Sequence, residues 1–320
     1  MASSRKCPSI DTPAAALDGC LTRHVRVGDR LVVGLSGGID SVVLLFALRS
    51  LDFPLSALHV HHGLSKNADQ WEAFCRDLCR SWDIPLAVER VAVERDSSDG
   101  IEAAARRARH AVFGQASGTT GDWILLAHHR GDQAETLLFN LLRGAGVRGA
   151  SAMNERNGRL LRPFLSIGRA QIAAFAEAHS LSWIEDESNA DVRFSRNWLR
   201  HRILPELARR FPSAEARLAA AARRFAEAQA LLEDLAEMDL GDAPRDFPVA
   251  LDRLKSLPDP RARNLLRYLF ARRGIGVPSE ERLAEALRQC LEARPDRHPS
   301  IVFGEWRLVR RRGQIVLERC

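Results

Sequence analysis

A chain of 320 residues, 46% hydrophobic and 28% charged, has the composition of folded globular material and is long enough for two domains. No apolar run reaches the roughly 20 residues of a membrane-crossing helix, and the amino-terminal stretch lacks a continuous apolar segment, so neither a membrane anchor nor secretion is expected and the compartment is the cytosol. The net charge of +6 sits at the carboxy-terminal end, where residues 247–320 hold 16 Arg and Lys against 9 Asp and Glu; such an excess suits a polyanion, although a chain with only three lysines could be arginine-rich by composition alone.

In chain order, short apolar runs at 30–35, 55–60, 86–93 and 123–128 predict buried strands. Helical periodicity predicts helices over 41–51, 69–82, 101–117 and 133–143. Strands alternating with helices imply an α/β fold with a doubly wound, mostly parallel sheet. Residues 213–238 form one long alanine-rich helical pattern with Ser213 as its cap, followed by a Gly/Pro-punctuated stretch at 241–248. Two helical patterns (259–273, 279–293) and two strand patterns (300–310, 313–319) around an Arg-rich turn then predict a small α+β domain. The expected organisation is an amino-terminal extension (1–29), a nucleotide-binding catalytic domain (30–212), a helical linker (213–246) and a small basic domain (247–320). Six cysteines (7, 20, 75, 79, 290, 320) show no even framework, so reduced thiols are expected.

Four stretches carry chemistry. The first strand runs into Ser36-Gly37-Gly38-Ile39-Asp40-Ser41 and then a helix. Glycines permit close backbone approach, and a helix amino terminus with flanking hydroxyls is suited to phosphate. The same residues could instead form a plain tight turn with Asp40 complementing the helix dipole; the loop is neither a Walker P-loop nor a G-x-G-x-x-G. In "GIEAAARRARH" (100–110), Glu102, Arg106 and Arg109 share a helix face, as substrate contacts or as a solvated ion-paired surface. "LLAHHRGDQAETLL" (125–138) ends a strand with His128 and His129 and opens a helix at Asp132. Asp132 and Glu135 are either a cap with its partner or carboxylates for Mg²⁺, with a neutral imidazole beside them. Finally, 183–207 sets an acidic loop against Arg193, Arg196, Arg200 and Arg202.

With those motifs in order and spacing, together with "HVHHGLS" (59–65), "RGAGVRGASAM" (143–153), "LLRPFL" (160–165) and "EDESNADVRFSRNWLR" (185–200), the sequence resembles the tRNA(Ile)-lysidine synthetases, within the PP-loop ATP pyrophosphatases. SGG alone identifies only the larger group. The resemblance is strong over 30–212 and weaker through the basic tail. It implies a carbon–nitrogen ligase in which ATP adenylates the oxygen on carbon 2 of the wobble cytidine of a CAU-anticodon isoleucine tRNA, releasing pyrophosphate, and the ε-amine of lysine then displaces AMP.

The resemblance further implies ATP held by Ser36, Gly37, Gly38, Ile39, Asp40 and Ser41, Mg²⁺ held by Asp40 and Glu135, and the lysine amine oriented by Asp132 and His128. Arg106 and Arg109 would hold phosphate or the activated base, and Arg196 and Arg200 are candidates for tRNA or the intermediate. The implied partners are that tRNA and L-lysine, with no membrane; a homodimer is left open. Two positions depart from the family pattern: Gly131 replaces an acidic residue, and His110 replaces a common Tyr. The tail ends near the family's first carboxy-terminal domain, so acceptor-stem contacts of longer members are not carried over. A tRNA thiolase is the rival enzyme, although Cys75 and Cys79 are spaced for packing rather than as a Cys-x-x-Cys pair; a noncatalytic RNA-binding relic would be expected to lose Asp40, Asp132 and Glu135.

Overall fold

The computed structural model describes residues 12–93, 101–185, 187, 191–294 and 297–320, with no description of the side chains of 101–103 and 118–120. The chain divides into two compact units, Met1–Ala226 and Glu227–Cys320. In the first, the elements are α1 (Pro13–His24), β1 (Leu31–Gly34), α2 (Ile39–Arg49), β2 (Leu55–His61), α3 (Ala68–Ser81), β3 (Leu86–Arg90), α4 (Ile101–Thr120), β4 (Trp123–Leu125), α5 (Arg130–Leu142), α6 (Val147–Ala150), β5 (Arg156–Asn157), β6 (Leu160–Leu161), α7 (Arg169–Ala178), α8 (Ser195–Trp198), a π-helical turn (Leu199–Ile203) and α9 (Leu204–Arg210). A long helix, α10 (Ala214–Leu240), contains the division between units.

The first unit is built on a six-stranded sheet ordered β3-β2-β1-β4-β6-β5. All neighbours are parallel except the edge pair β5–β6. Alternation along the strands decides the two faces. Leu31, Val33, Trp123 and Leu125 join a core with α1, α2, α3 and α7, whereas Val32, Leu58, Ile124 and Leu126 pack on the other face against Phe113 of α4. Helices therefore cover both faces, as the continuous apolar strands require. Helix α1 belongs to the first core through Leu17, Cys20 and Leu21, and Arg23 and His24 bind Glu155 at 2.8 and 2.9 Å. The third strand ends at Arg90 rather than at 93.

The second unit has its own core, formed by Ala236 and Leu240 of α10, Leu265, Leu266, Leu269 and Phe270 of α12, and inward residues of an antiparallel sheet. Its elements are β7 (Val249–Ala250), α11 (Leu251–Lys255), α12 (Asp259–Arg272), α13 (Glu280–Glu292), β8 (Ser300–Phe303), β9 (Trp306–Arg311) and β10 (Gln314–Arg319), with sheet order β7-β10-β9-β8. The pattern 300–310 is two strands, because Gly304 (φ 60°) turns the chain and Phe303 pairs with Trp306. The Arg-rich turn is a two-residue hairpin in which Arg312 and Gly313 both have positive φ, the geometry that matches strand twist. Buried Arg310 donates to the carbonyl oxygens of Cys290 (3.0 Å) and Ala293 (2.5 Å), so a guanidinium closes the negative end of α13.

Cys20, Cys75, Cys79 and Cys290 are buried free thiols, while Cys320 is exposed; Cys7 lies outside the described residues. Burial pushes the Cys75 thiol up to about 12 and that of Cys79 to about 11. Iodoacetamide at pH 8 should thus modify Cys320 while the four buried thiols stay intact, read by peptide mass spectrometry; fast labelling of Cys75 or Cys79 would contradict this packing. Among the described residues, no helix is long and apolar enough to cross a membrane.

Candidate active site

Strand β1 lies between β2 and β4, and the chain leaves it first toward β2 and β3 and later returns on the other side as β4. Loops leaving the carboxyl ends of β1 and β4 therefore diverge and open a crevice, which is where open parallel sheets bind ligands. The glycine loop follows β1, and His128 and His129 follow β4.

In the glycine loop, Gly37 has φ 87° and its carbonyl accepts from Ile184 N–H at 3.0 Å. A Cβ there would lie 2.5 Å from Ile184 Cδ1, so both conformation and space demand glycine. Ser41 Oγ donates to the Gly38 carbonyl (2.8 Å) and accepts from Ser36 N–H (3.2 Å), while Ser36 Oγ accepts from Gly38 N–H (3.3 Å). These hydroxyls shape the loop itself. Helix α2 opens at Gly38 without a side-chain cap, leaving its amino-terminal end with the dipole and amide character of an anion site.

Asp40 lies in the first turn of that helix. Its Oδ2 accepts from Arg169 Nη1 at 2.6 Å, whereas its Oδ1 is buried without a hydrogen-bond partner. Burial raises the Asp40 pKa, the charge of Asp132 adds to this, and His129, Arg169 and Arg200 oppose it. Glu135, deeply buried on α5, is raised by burial as well.

Helix α5 begins at Arg130, two residues before the expected Asp132, because His129 is the cap. His129 Nδ1 accepts from Gly131 N–H (3.0 Å) and Asp132 Oδ2 accepts from His129 N–H (2.9 Å). The capping box thus joins His129 to Asp132, not Asp132 to Glu135. A Cβ on Gly131 would fall 2.8 Å from His129 Cε1, so glycine here permits the ring to fold back over its own helix end. Asp132 is held below the usual carboxylate range despite burial, by His129, His128 and Arg200 and by the backbone hydrogen bond.

Arg200 ties the carboxylates together. Its Nε donates to Glu135 Oε1 (2.6 Å), and its Nη2 donates to Glu135 Oε2 (2.8 Å) and Asp132 Oδ1 (2.8 Å). It sits in the π-helical turn, a local irregularity that often marks a working site. One turn earlier, Arg196 donates to Thr136 Oγ1 (3.2 Å) and stacks over Phe139, 5.3 Å from the ring centroid. On the far side of α5, Arg130 bonds Glu215 (2.8 Å), and Leu218, Ala221, Ala222 and Phe225 of α10 pack on Leu137 and Ala150. The helix that carries Asp132 and Glu135 is braced on both sides.

His128 is pushed down to about 3, chiefly by burial; Arg162, Arg106 and His110 reinforce this and Asp132 opposes it. Its Nδ1 is buried with no hydrogen-bond partner. The folded state keeps the ring neutral while the unfolded chain takes up a proton below its ordinary 6.5, so His128's contribution to stability is complete above about pH 6.5 and is lost as the pH falls toward 3. ¹⁵N NMR should find His128 uncharged down to about pH 5; an imidazolium signal at pH 6 would contradict the site's geometry.

The structure brings together Asp40, His128, Asp132, Glu135 and Arg200, with Arg106 on α4 close enough for its charge to act on His128. Arg109 is exposed, one turn further along α4, and its charge lowers the pKa of His110. The Glu102 side chain, Asp186 and residues 188–190 lie outside the described residues. Arg193 pairs with Asp191 (2.6 Å) on the exposed surface. Sequence reasoning missed Arg169, which no motif flagged, and did not single out Arg162, although the quoted stretch LLRPFL places this charge directly after the two apolar residues of β6.

Comparison with known proteins gives the family. Residues 15–207 match the family described as PP-loop domain, and residues 250–316 match that described as TilS substrate binding domain. Proteins named tRNA(Ile)-lysidine synthase are 44% identical in Nitrosomonas europaea (87% of this chain, 62% of that one) and 43% identical in Ralstonia nicotianae (97% and 69%). The chain thus spans about two thirds of the length of these relatives. A solved U34-tRNA thiolase NcsA from Methanococcus maripaludis shares the fold, with a TM-score of 0.56 and 16% identity over 67% of this chain and 78% of that one. With a doubly wound PP-loop unit and a small antiparallel-sheet unit, both matched in sequence, the chain belongs to the tRNA(Ile)-lysidine synthase family.

Proposed function

We propose that the protein joins lysine to carbon 2 of the wobble cytidine of a CAU-anticodon isoleucine tRNA at the expense of ATP. The observation that carries this reading is the meeting, at one topological switch point, of an anion-binding glycine loop with a buried carboxylate cluster. The loop and the amino end of α2 would hold the β and γ phosphates of ATP as a leaving group while the cytosine oxygen attacks the α-phosphate.

The orphaned Asp40 Oδ1 fits a divalent cation, with Glu135, whose two oxygens Arg200 holds at 2.6 and 2.8 Å, as the second proposed ligand. Bound there, Mg²⁺ would neutralise the charge that develops on pyrophosphate. Ionised Asp132 would then orient the lysine ε-amine. His128, too weak a base to store a proton, would accept a hydrogen bond from the neutral amine. Arg106 and Arg109 would stabilise phosphate or the activated base, and Arg200 would keep Asp132 and Glu135 in place.

The second unit, with residues 247–320 as its basic part, would bind tRNA. A groove of about 430 Å³ on its sheet is lined by His298, Ser300, Arg307, Val309, Arg311 and Arg312. Neutralising both Arg311 and Arg312 with Gln should weaken tRNA binding and flatten its dependence on salt, by about 0.7–0.9 in the log–log slope for each phosphate left without its cation. An unchanged slope in a salt titration would remove this surface from the interface.

The reading is tested by incubating the protein with ATP, radiolabelled lysine and CAU-anticodon tRNA, then analysing the nucleosides. Label should appear in a modified cytidine. Sulfur transfer in place of lysine would favour a thiolase, a reading the buried, high-pKa Cys75 and Cys79 disfavour.

A further inference from the structure

Arg162 is a buried charge that the reaction above does not use. It follows β6 directly and is only 6% exposed. Its Nη1 donates to the Asn154 carbonyl at 2.8 Å, and its Nε is buried without a partner. Among the described residues, no carboxylate forms an ion pair with it. Burial, and with it the nearby charge of Arg106, pushes its pKa down to about 10. An unpaired guanidinium in such surroundings is costly unless an anion joins it.

The sheet fixes where that anion would lie. Leu161 pairs with Leu125, so Arg162 stands beside Leu126 at the carboxyl ends of adjacent parallel strands. Leu126 and Leu160 face α4, and alternation places His128 and Arg162 on the same face, toward the end of α4 that bears Arg106 and His110. Across the strand ends the order is therefore glycine loop after β1, His128 and Asp132 after β4, and Arg162 after β6. Each step is about 5 Å. Phosphates at the glycine loop are two strands from Arg162, whereas an amine at Asp132 is one strand away. An amino acid with a cation at the end of its side chain and a carboxylate at the other end spans that last interval.

Resting on the proposed lysine reading, we infer that Arg162 forms the subsite for the α-carboxylate of the amino-acid nucleophile and so selects an amino acid over a simple diamine. A guanidinium fork suits a carboxylate in this role.

The test compares L-lysine with L-lysinamide, which keeps the ε-amine and lacks the carboxylate, in the wild type and in Arg162→Gln and Arg162→Lys. Pyrophosphate release with ATP and tRNA but no amine reports the first step separately. In Arg162→Gln the KM for lysine should rise at least tenfold, the KM for lysinamide should stay within twofold, and pyrophosphate release should be unchanged. Arg162→Lys should recover part of the lysine KM. Equal effects on the two amines, no effect on either, or loss of pyrophosphate release would overturn the subsite and make Arg162 structural. A wild type that attaches neither amine to tRNA would instead refute the lysine reading, and the subsite with it.

Discussion

Asp40→Asn should lower tRNA-dependent pyrophosphate release from ATP by at least about 100-fold, while leaving the protein at least as stable as the wild type. The two halves of this expectation come from the same atoms. Asp40 Oδ1 is buried and unsatisfied, and burial opposes ionisation of the carboxyl. Replacing it with the isosteric amide removes a buried charge that the fold does not need. The lost ion pair to Arg169 costs little, because that guanidinium is more than half exposed. A carboxylate kept against its own stability has a functional reason, and charge at the nucleotide phosphates is the one this geometry offers. Activity is read by pyrophosphate release and stability by thermal unfolding. Near-normal turnover would remove Asp40 as a metal ligand, and a large fall in Tm would show that it is structural.

Arg200→Ala should damage both fold and activity. Its guanidinium makes three charge-assisted hydrogen bonds to Asp132 and Glu135, whose side chains are only 19% and 6% exposed. Removing it leaves two facing carboxylates buried without their cation, a loss of about 3–5 kcal/mol. In a unit of this size that lowers Tm by roughly 10 °C. The mildest remedy for the site is protonation of Glu135, already raised by burial. The folded pKa would then stand further above the unfolded one, so the variant should lose stability as pH rises through that folded value and regain some in acid. Calorimetry between pH 5 and 8 would check the trend; a variant equally stable at both ends would mean that Arg200 is not the cation this pair depends on.

The legible part of the fold was its periodicity. Runs such as 30–35 and 123–128, buried on both faces, carry an unbroken apolar signal, and α12 and α13 appear within one residue of their expected ends. Two-residue strands such as β5 and β6 are too short for any period to register, and the turn at Gly304 hid inside a stretch that reads as one strand. At the site, residue types were legible and partnerships were not. Asp132 and Glu135 sit three apart, which suggests a capping pair to any reading of spacing. The real cap is His129, because its ring can turn back over Gly131. Arg196 and Arg200 were legible only as charges beside an acidic loop; that they lie on α5, with Arg200 against the carboxylates, follows from long-range packing that the spacing does not encode. Arg169 meets Asp40 across 129 positions of sequence, with no local pattern to reveal it.

The central claim is that residues 36–41 hold the terminal phosphates of ATP while Asp40 and Glu135 share its cation. A crystal structure with Mg²⁺ and α,β-methylene-ATP tests it most directly. The account predicts phosphate oxygens against the amides at the start of α2 and a cation bound to Asp40 Oδ1, with Glu135 contributing from α5. A nucleotide bound elsewhere, or a cation held by neither carboxylate, would contradict it.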